Sequence, residues 1–121
     1  MNFKESETVE FKKSTAELKE AVISISAILN KHGKGELYFG IKDDGAVVGQ
    51  MIGKETLRDI AEAISNHLEP KVFPKIEHRN IAGKECIVVE VQGAHSPYFA
   101  YGRAYIRVGE SNNALSSHKI E

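Results

Sequence analysis

Two stretches of three-four apolar spacing stand out along a chain otherwise punctuated by short alternating runs. In Thr8-Val9-Glu10-Phe11-Lys12 the pattern predicts a short strand with Val9 and Phe11 inward. Ser14-Thr15-Ala16-Glu17 reads as a capping box, a hydroxyl and a carboxylate placed to satisfy free amides at a helix start. Behind it Leu18, Ala21, Val22, Ile25, Ile28 and Leu29 share one face, predicting a helix from about Thr15 to Lys31, ended by Gly33 and Gly35. Glu36 to Lys42 has strand composition, Asp43-Asp44-Gly45 is hairpin chemistry, and Ala46 to Gly49 is the expected return strand. Leu57, Ile60, Ala61, Ile64 and Leu68 define a second helix stopped by Pro70.

Three further strands are predicted at Lys75 to Asn80, Glu85 to Val91 and Arg103 to Val108. Cys86 to Val91 is apolar at nearly every position, as expected of a central strand covered on both faces, and it makes Cys86 an inert core thiol. The expected fold is α+β, a mixed sheet packed with two main helices in the order β-α-β-β-α-β-β-(β)-β. Residues 1–109 form the expected domain, and residues 110–121 read as a polar linker or tail.

Composition narrows the function. The 121 residues are 41% hydrophobic and 27% charged, an ordinary globular balance. Sixteen Lys/Arg against seventeen Asp/Glu give a net charge of −1, which excludes a polybasic tail-driven binder. One cysteine closes no intrachain disulfide, the start is polar, and no apolar run approaches a membrane span, so a cytoplasmic protein without membrane contact is expected. Gly49 to Lys54 fails as a phosphate loop, with three residues between the glycines and Glu55 after the lysine, so no ATPase motif is present. The five histidines show no ligand spacing.

The charge is unevenly spread. Residues 1–70 hold nine Lys/Arg and twelve Asp/Glu, whereas residues 71–108 hold six and three. Lys71, Lys75, Arg79, Arg103 and Arg107, interleaved with Tyr98, Tyr101 and Tyr105, would suit phosphates and bases if they line one face. Arg103, Tyr105 and Arg107 alternate along their strand and are expected on one side of it. Glu5, Glu7 and Glu10 precede the first helix and Asp43 and Asp44 occupy the turn. Convergence of two or three of these carboxylates would suit magnesium or manganese, and a solvated terminus beside a simple turn is the alternative.

Glu5-Ser6-Glu7-Thr8-Val9-Glu10-Phe11-Lys12, the run from Leu29 through Gly45, Val48-Gly49, Glu69-Pro70, Pro97-Tyr98 and Gly102 to Gly109 together resemble the Schlafen AlbA-like domain. His32-Gly33-Lys34-Gly35 stands where that family usually has Thr-x-Gly-Gly. The resemblance implies a nucleic-acid-binding (DNA or RNA) domain, sequence-independent, at the N-terminus of a bacterial RecG-related or divergent AAA-type ATP-binding transcriptional regulator. On that basis further C-terminal domains are expected beyond this chain. Lys12, Lys13, Lys34, Arg103, Tyr105 and Arg107 would contact the nucleic acid, with no cofactor required. Animal Schlafens carry an RNA endonuclease site of three acids on this fold. Its counterpart here would be Glu5, Glu10 and Asp43, with Asp44 the alternate third acid and Mg or Mn the metal. A homodimer would supply the second lobe of such an enzyme. A domain serving only oligomerisation is a third reading.

Overall fold

The computed structural model describes residues 4–116. Eight strands and two helices follow in the order β1 (Val9–Lys12), α1 (Leu18–His32), β2 (Lys34–Phe39), α2 (Thr56–His67), β3 (Leu68–Glu69), β4 (Lys75–Ile81), β5 (Lys84–Gln92), β6 (Phe99–Ala100), β7 (Arg103–Val108) and β8 (Ser111–Ala114). The class is α+β with two helices, as expected. The strands, however, divide between two sheets, ordered β1-β2-β5-β4 and β3-β6-β7-β8. β1 runs parallel to β2, while the other pairings are antiparallel.

α1 packs against both sheets, which explains why burial extends beyond its one predicted face to Ser24, Ser26 and Ala27. Its core partners include Leu37, Phe39, Ile87, Val89 and Tyr98. Gly33 closes the helix in the left-handed region at φ +77, donating its N–H to Leu29 O at 3.0 Å. The opposite face of the first sheet buries a smaller cluster of Phe11, Tyr38, Ile41, Ile81, Cys86 and Val88. β5 is thus internal and covered on both faces, and burial raises the Cys86 thiol pKa.

The Ser14 signal is used differently from its sequence reading. Ser14 Oγ accepts from Ala16 N and Glu17 Oε2 accepts from Lys13 N, capping a single 3-10 turn, Thr15–Glu17, that precedes α1. The strand expected to reach Lys42 stops at Phe39 because Gly40 takes φ +104. The return strand 46–49 reduces to one bridge, Ile41 with Val47, since the N–H groups of Val48 and Gly49 both donate to Gly40 O. The tail expected from Glu110 is corrected over Ser111–Ala114: these residues pair with β7, and Leu115 N donates to Ala104 O. Residues 117–121 of that tail lie outside the described residues.

Candidate carboxylate site

β1 has two buried faces, and its alternation places the site. Val9 and Phe11 join the small cluster over β2, with Phe11 edge-on to the Tyr38 ring at 5.9 Å. Glu10 lies between them in sequence and so points the other way, where it is 5% exposed. The segment before β1 turns back on itself through Ser6 N donating to Val9 O at 3.0 Å. That turn returns Glu5 to the strand, where its Oε2 accepts from Phe11 N at 3.0 Å. Asp43 approaches from the loop after β2. That loop is shaped by Gly45 N donating to Lys42 O and by the Asp44 carboxylate accepting from Ala46 N. One carboxylate oxygen each from Glu5, Glu10 and Asp43 lies within 4.8 Å of the others. Asp44 and Glu7 are engaged elsewhere. Glu7 binds Lys31 Nζ and His32 Nε2, both at 2.8 Å, and accepts from Gly109 N at 3.0 Å.

The crowding has an electrostatic signature. Burial, then a hydrogen bond shared with Glu10, push the Glu5 carboxyl up to about 8, with the charges of Glu10 and Asp43 adding to the effect. Like charges this close resist full ionisation, which acts in the same direction as burial. Glu7 behaves oppositely: its Lys31 and Gly109 contacts hold it down at about 2.

The donor set is all oxygen, the chemistry that suits hard divalent cations. Glu10 Oε1 is buried and receives no hydrogen bond among the described residues, although the Arg107 guanidinium lies 2.7 Å away as an ion pair. A buried carboxylate oxygen that accepts no hydrogen bond, beside a carboxyl whose pKa is raised by burial and acidic neighbours, fits a divalent cation. Glu5, Glu10 and Asp43 would hold it.

The expected basic face does not assemble. Arg107 is 0% exposed and its contact with phosphate is corrected: it turns inward to pair with Glu10, a partner 97 positions away that strand alternation does not reveal. Tyr105 also faces inward, against the core beneath α1. Lys12 is largely covered and sits 3.4 Å from Glu10. Lys13 is exposed just past the end of β1, whereas Lys34 is exposed at the opposite end of the sheet, since Lys12 aligns with Phe39. Arg103 is exposed on the second sheet at the β6–β7 turn. Sequence reasoning missed a different pattern. Exposed Lys4 and Lys42 adjoin Glu5 and Asp43 in the chain, and Lys12 and Lys13 follow Glu10, so each acid has a lysine one to three residues away.

Two sheets packed against a shared helix, with a carboxylate trio gathered beside the edge strand β1, make up this α+β domain. The Schlafen, AlbA_2 family model matches residues 5–116, and the chain belongs to that family. Among solved structures, the DIP2311 protein of Corynebacterium diphtheriae shares the fold at TM-score 0.73 and 18% identity. That match covers 90% of this chain and 22% of that one, so this chain spans less than a quarter of its length. The N-terminal domain of a RecG-related protein of Nitrosomonas europaea matches at TM-score 0.65 and 26% identity, covering 96% of this chain and 89% of that domain. No curated protein matches the chain. No helix among the described residues is long and apolar enough to cross a membrane.

Proposed function

We propose that this domain binds nucleic acid and meets the phosphodiester backbone at the Glu5–Glu10–Asp43 cluster, whose carboxylates would hold a divalent cation that offsets the phosphate charge. The observation that carries this reading is the convergence of two acids from the segment entering β1 with a third from the loop after β2, each with a lysine close by in sequence. Carboxylates alone would repel a polyanion, and a bound magnesium or manganese ion reverses that sign. Lys4, Lys13 and Lys42 would then add phosphate contacts without reading bases. The similarity to the N-terminal domain of a RecG-related protein supports a place for this domain ahead of other domains in a longer bacterial protein.

The reading is tested by titrating fluorescent single-stranded and duplex DNA and RNA with the domain at two salt concentrations in Mn²⁺. Phosphate contacts give affinity that falls steeply with salt. Affinity indifferent to salt, or none, would favour the oligomerisation reading instead.

The same donor set favours a second reading, metal-dependent RNA hydrolysis. A bound metal would supply water activation and offset of phosphodiester charge. This chain's acids would bind and orient it, while the lysines hold the strand. Incubating tRNA with Mn²⁺ and with wild type, Glu10→Gln or Asp43→Asn separates the two. Equal RNA loss with all three ends the hydrolytic reading and leaves binding intact.

A further inference from the structure

Arg107 has no role in the reading above, yet it is among the largest fully buried side chains of the described residues. We infer that Arg107 is the positioning residue of the carboxylate site: its guanidinium, clamped by Asn112, fixes the turn that sets Glu5 beside Glu10. The inference rests on the carboxylate-site reading and names the part that organises it.

The geometry runs inward from the second sheet. Arg107 Nη2 donates to Ser6 O at 2.8 Å and to Val9 O at 3.3 Å. Those two carbonyls lie at the ends of the turn between Glu5 and Glu10, so one nitrogen spans the segment carrying both acids. Arg107 Nη1 reaches Glu10 Oε1 at 2.7 Å and donates to Asn112 Oδ1 at 2.8 Å. Asn112 in β8 is itself anchored, with Nδ2 donating to Ser24 Oγ at 2.9 Å, on a serine of α1 that is fully buried. A rigid path therefore leads from the central helix through β8 and β7 to the acids. Apart from it, the acid-bearing turn is held by its own Ser6–Val9 bond, by Thr8 N on Ser6 Oγ, by Glu7 on Lys31, His32 and Gly109 N, by Glu5 on Phe11 N, and by the pairing of β1 with β2.

Arginine suits this role because its planar fork presents several donors at fixed angles. Lysine keeps the charge but offers one compact ammonium, which cannot reach the Ser6, Val9 and Asn112 acceptors together. Groups that orient metal ligands from behind typically matter about 10–100-fold in metal affinity.

The test is Mn²⁺ binding to the whole chain, read by electron paramagnetic resonance, with circular dichroism confirming that each variant is folded. Arg107→Lys is expected to weaken Mn²⁺ binding about tenfold or more while folded. Asn112→Ala, which releases the clamp from the side remote from the acids, should lose at least about threefold, a smaller share of the same effect. Folded Arg107→Lys with wild-type affinity overturns the inference, even if its thermal stability falls, because a purely structural role lowers stability alone. If Arg107→Lys does not fold, wild-type affinity in Asn112→Ala overturns it. Asp43→Asn separates the two levels. If wild type binds no Mn²⁺, or binds it no better than Asp43→Asn, the carboxylate-site reading fails and the inference with it. If only Asp43→Asn loses binding, the site stands and the role of Arg107 is refuted.

Discussion

Replacing Glu5 by glutamine should stabilise the metal-free domain, by an amount that grows as pH rises from 4.5 and is complete above about 8. The folded carboxyl is raised from 4.5 to about 8 by burial and by Glu10. A raised acid binds its proton more tightly folded than unfolded, so stability falls as pH rises from 4.5 and levels off above about 8. At about 1.4 kcal/mol per pH unit the full span would amount to ~5 kcal/mol. Solvent reaches the half-buried carboxyl and screens most of this, leaving about 1–2 kcal/mol. The glutamine of Glu5→Gln keeps an acceptor for Phe11 N and lacks the charge, so the variant carries no such pH dependence. In urea unfolding, wild type and Glu5→Gln should coincide near pH 4.5. By pH 9 the variant midpoint should be higher by about 0.5–1 M. Comparing the two proteins at each pH cancels the titrating groups that do not interact with Glu5. Parallel midpoints from pH 4.5 to 9 would refute the crowding on which the cation reading depends.

Other expectations follow from the same contacts. Glu7→Gln should lose stability relative to wild type at neutral pH. Because the Glu7 carboxyl is lowered to about 2, its contribution is present above 4.5 and disappears as pH falls through about 2, where the two proteins should converge in acid titrations. Gly93→Ala would drive a methyl group into the ring of Tyr98, which is 1% exposed, where Gly93 also donates to Gly33 O; urea unfolding should register a loss of about 1–3 kcal/mol. Lys13→Ala touches no core residue and should leave stability within about 0.5 kcal/mol. If Lys13 meets phosphate, the variant should lower the salt slope of single-strand binding by about 0.7.

Much of the architecture was legible because it rests on local chemistry. The α1 face, its Gly33 terminus and the apolar run of β5 follow from spacing and turn residues alone. The strands β3, β6 and β8 were not legible. They are two to four residues long, and Ser-Asn-Asn-Ala carries no strand signal until β7 lies beside it. Five acids stood out from the sequence itself and resemblance to a family narrowed them to three, but their convergence depends on a turn that the sequence does not announce. Arg107 is the clearest divergence: alternation along β7 placed it with Arg103 on a solvent face. A buried arginine depends on an acid and two carbonyls at the far end of the chain, which no local pattern encodes.

The most direct test of the central claim is the affinity of a labelled single strand for wild type and Asp43→Asn, each measured in Mn²⁺ and again in EDTA. The account predicts that wild type binds at least about threefold tighter with Mn²⁺ and that Asp43→Asn abolishes this gain without unfolding. Binding that is unchanged by Mn²⁺ in wild type, or enhanced equally in both proteins, would contradict it.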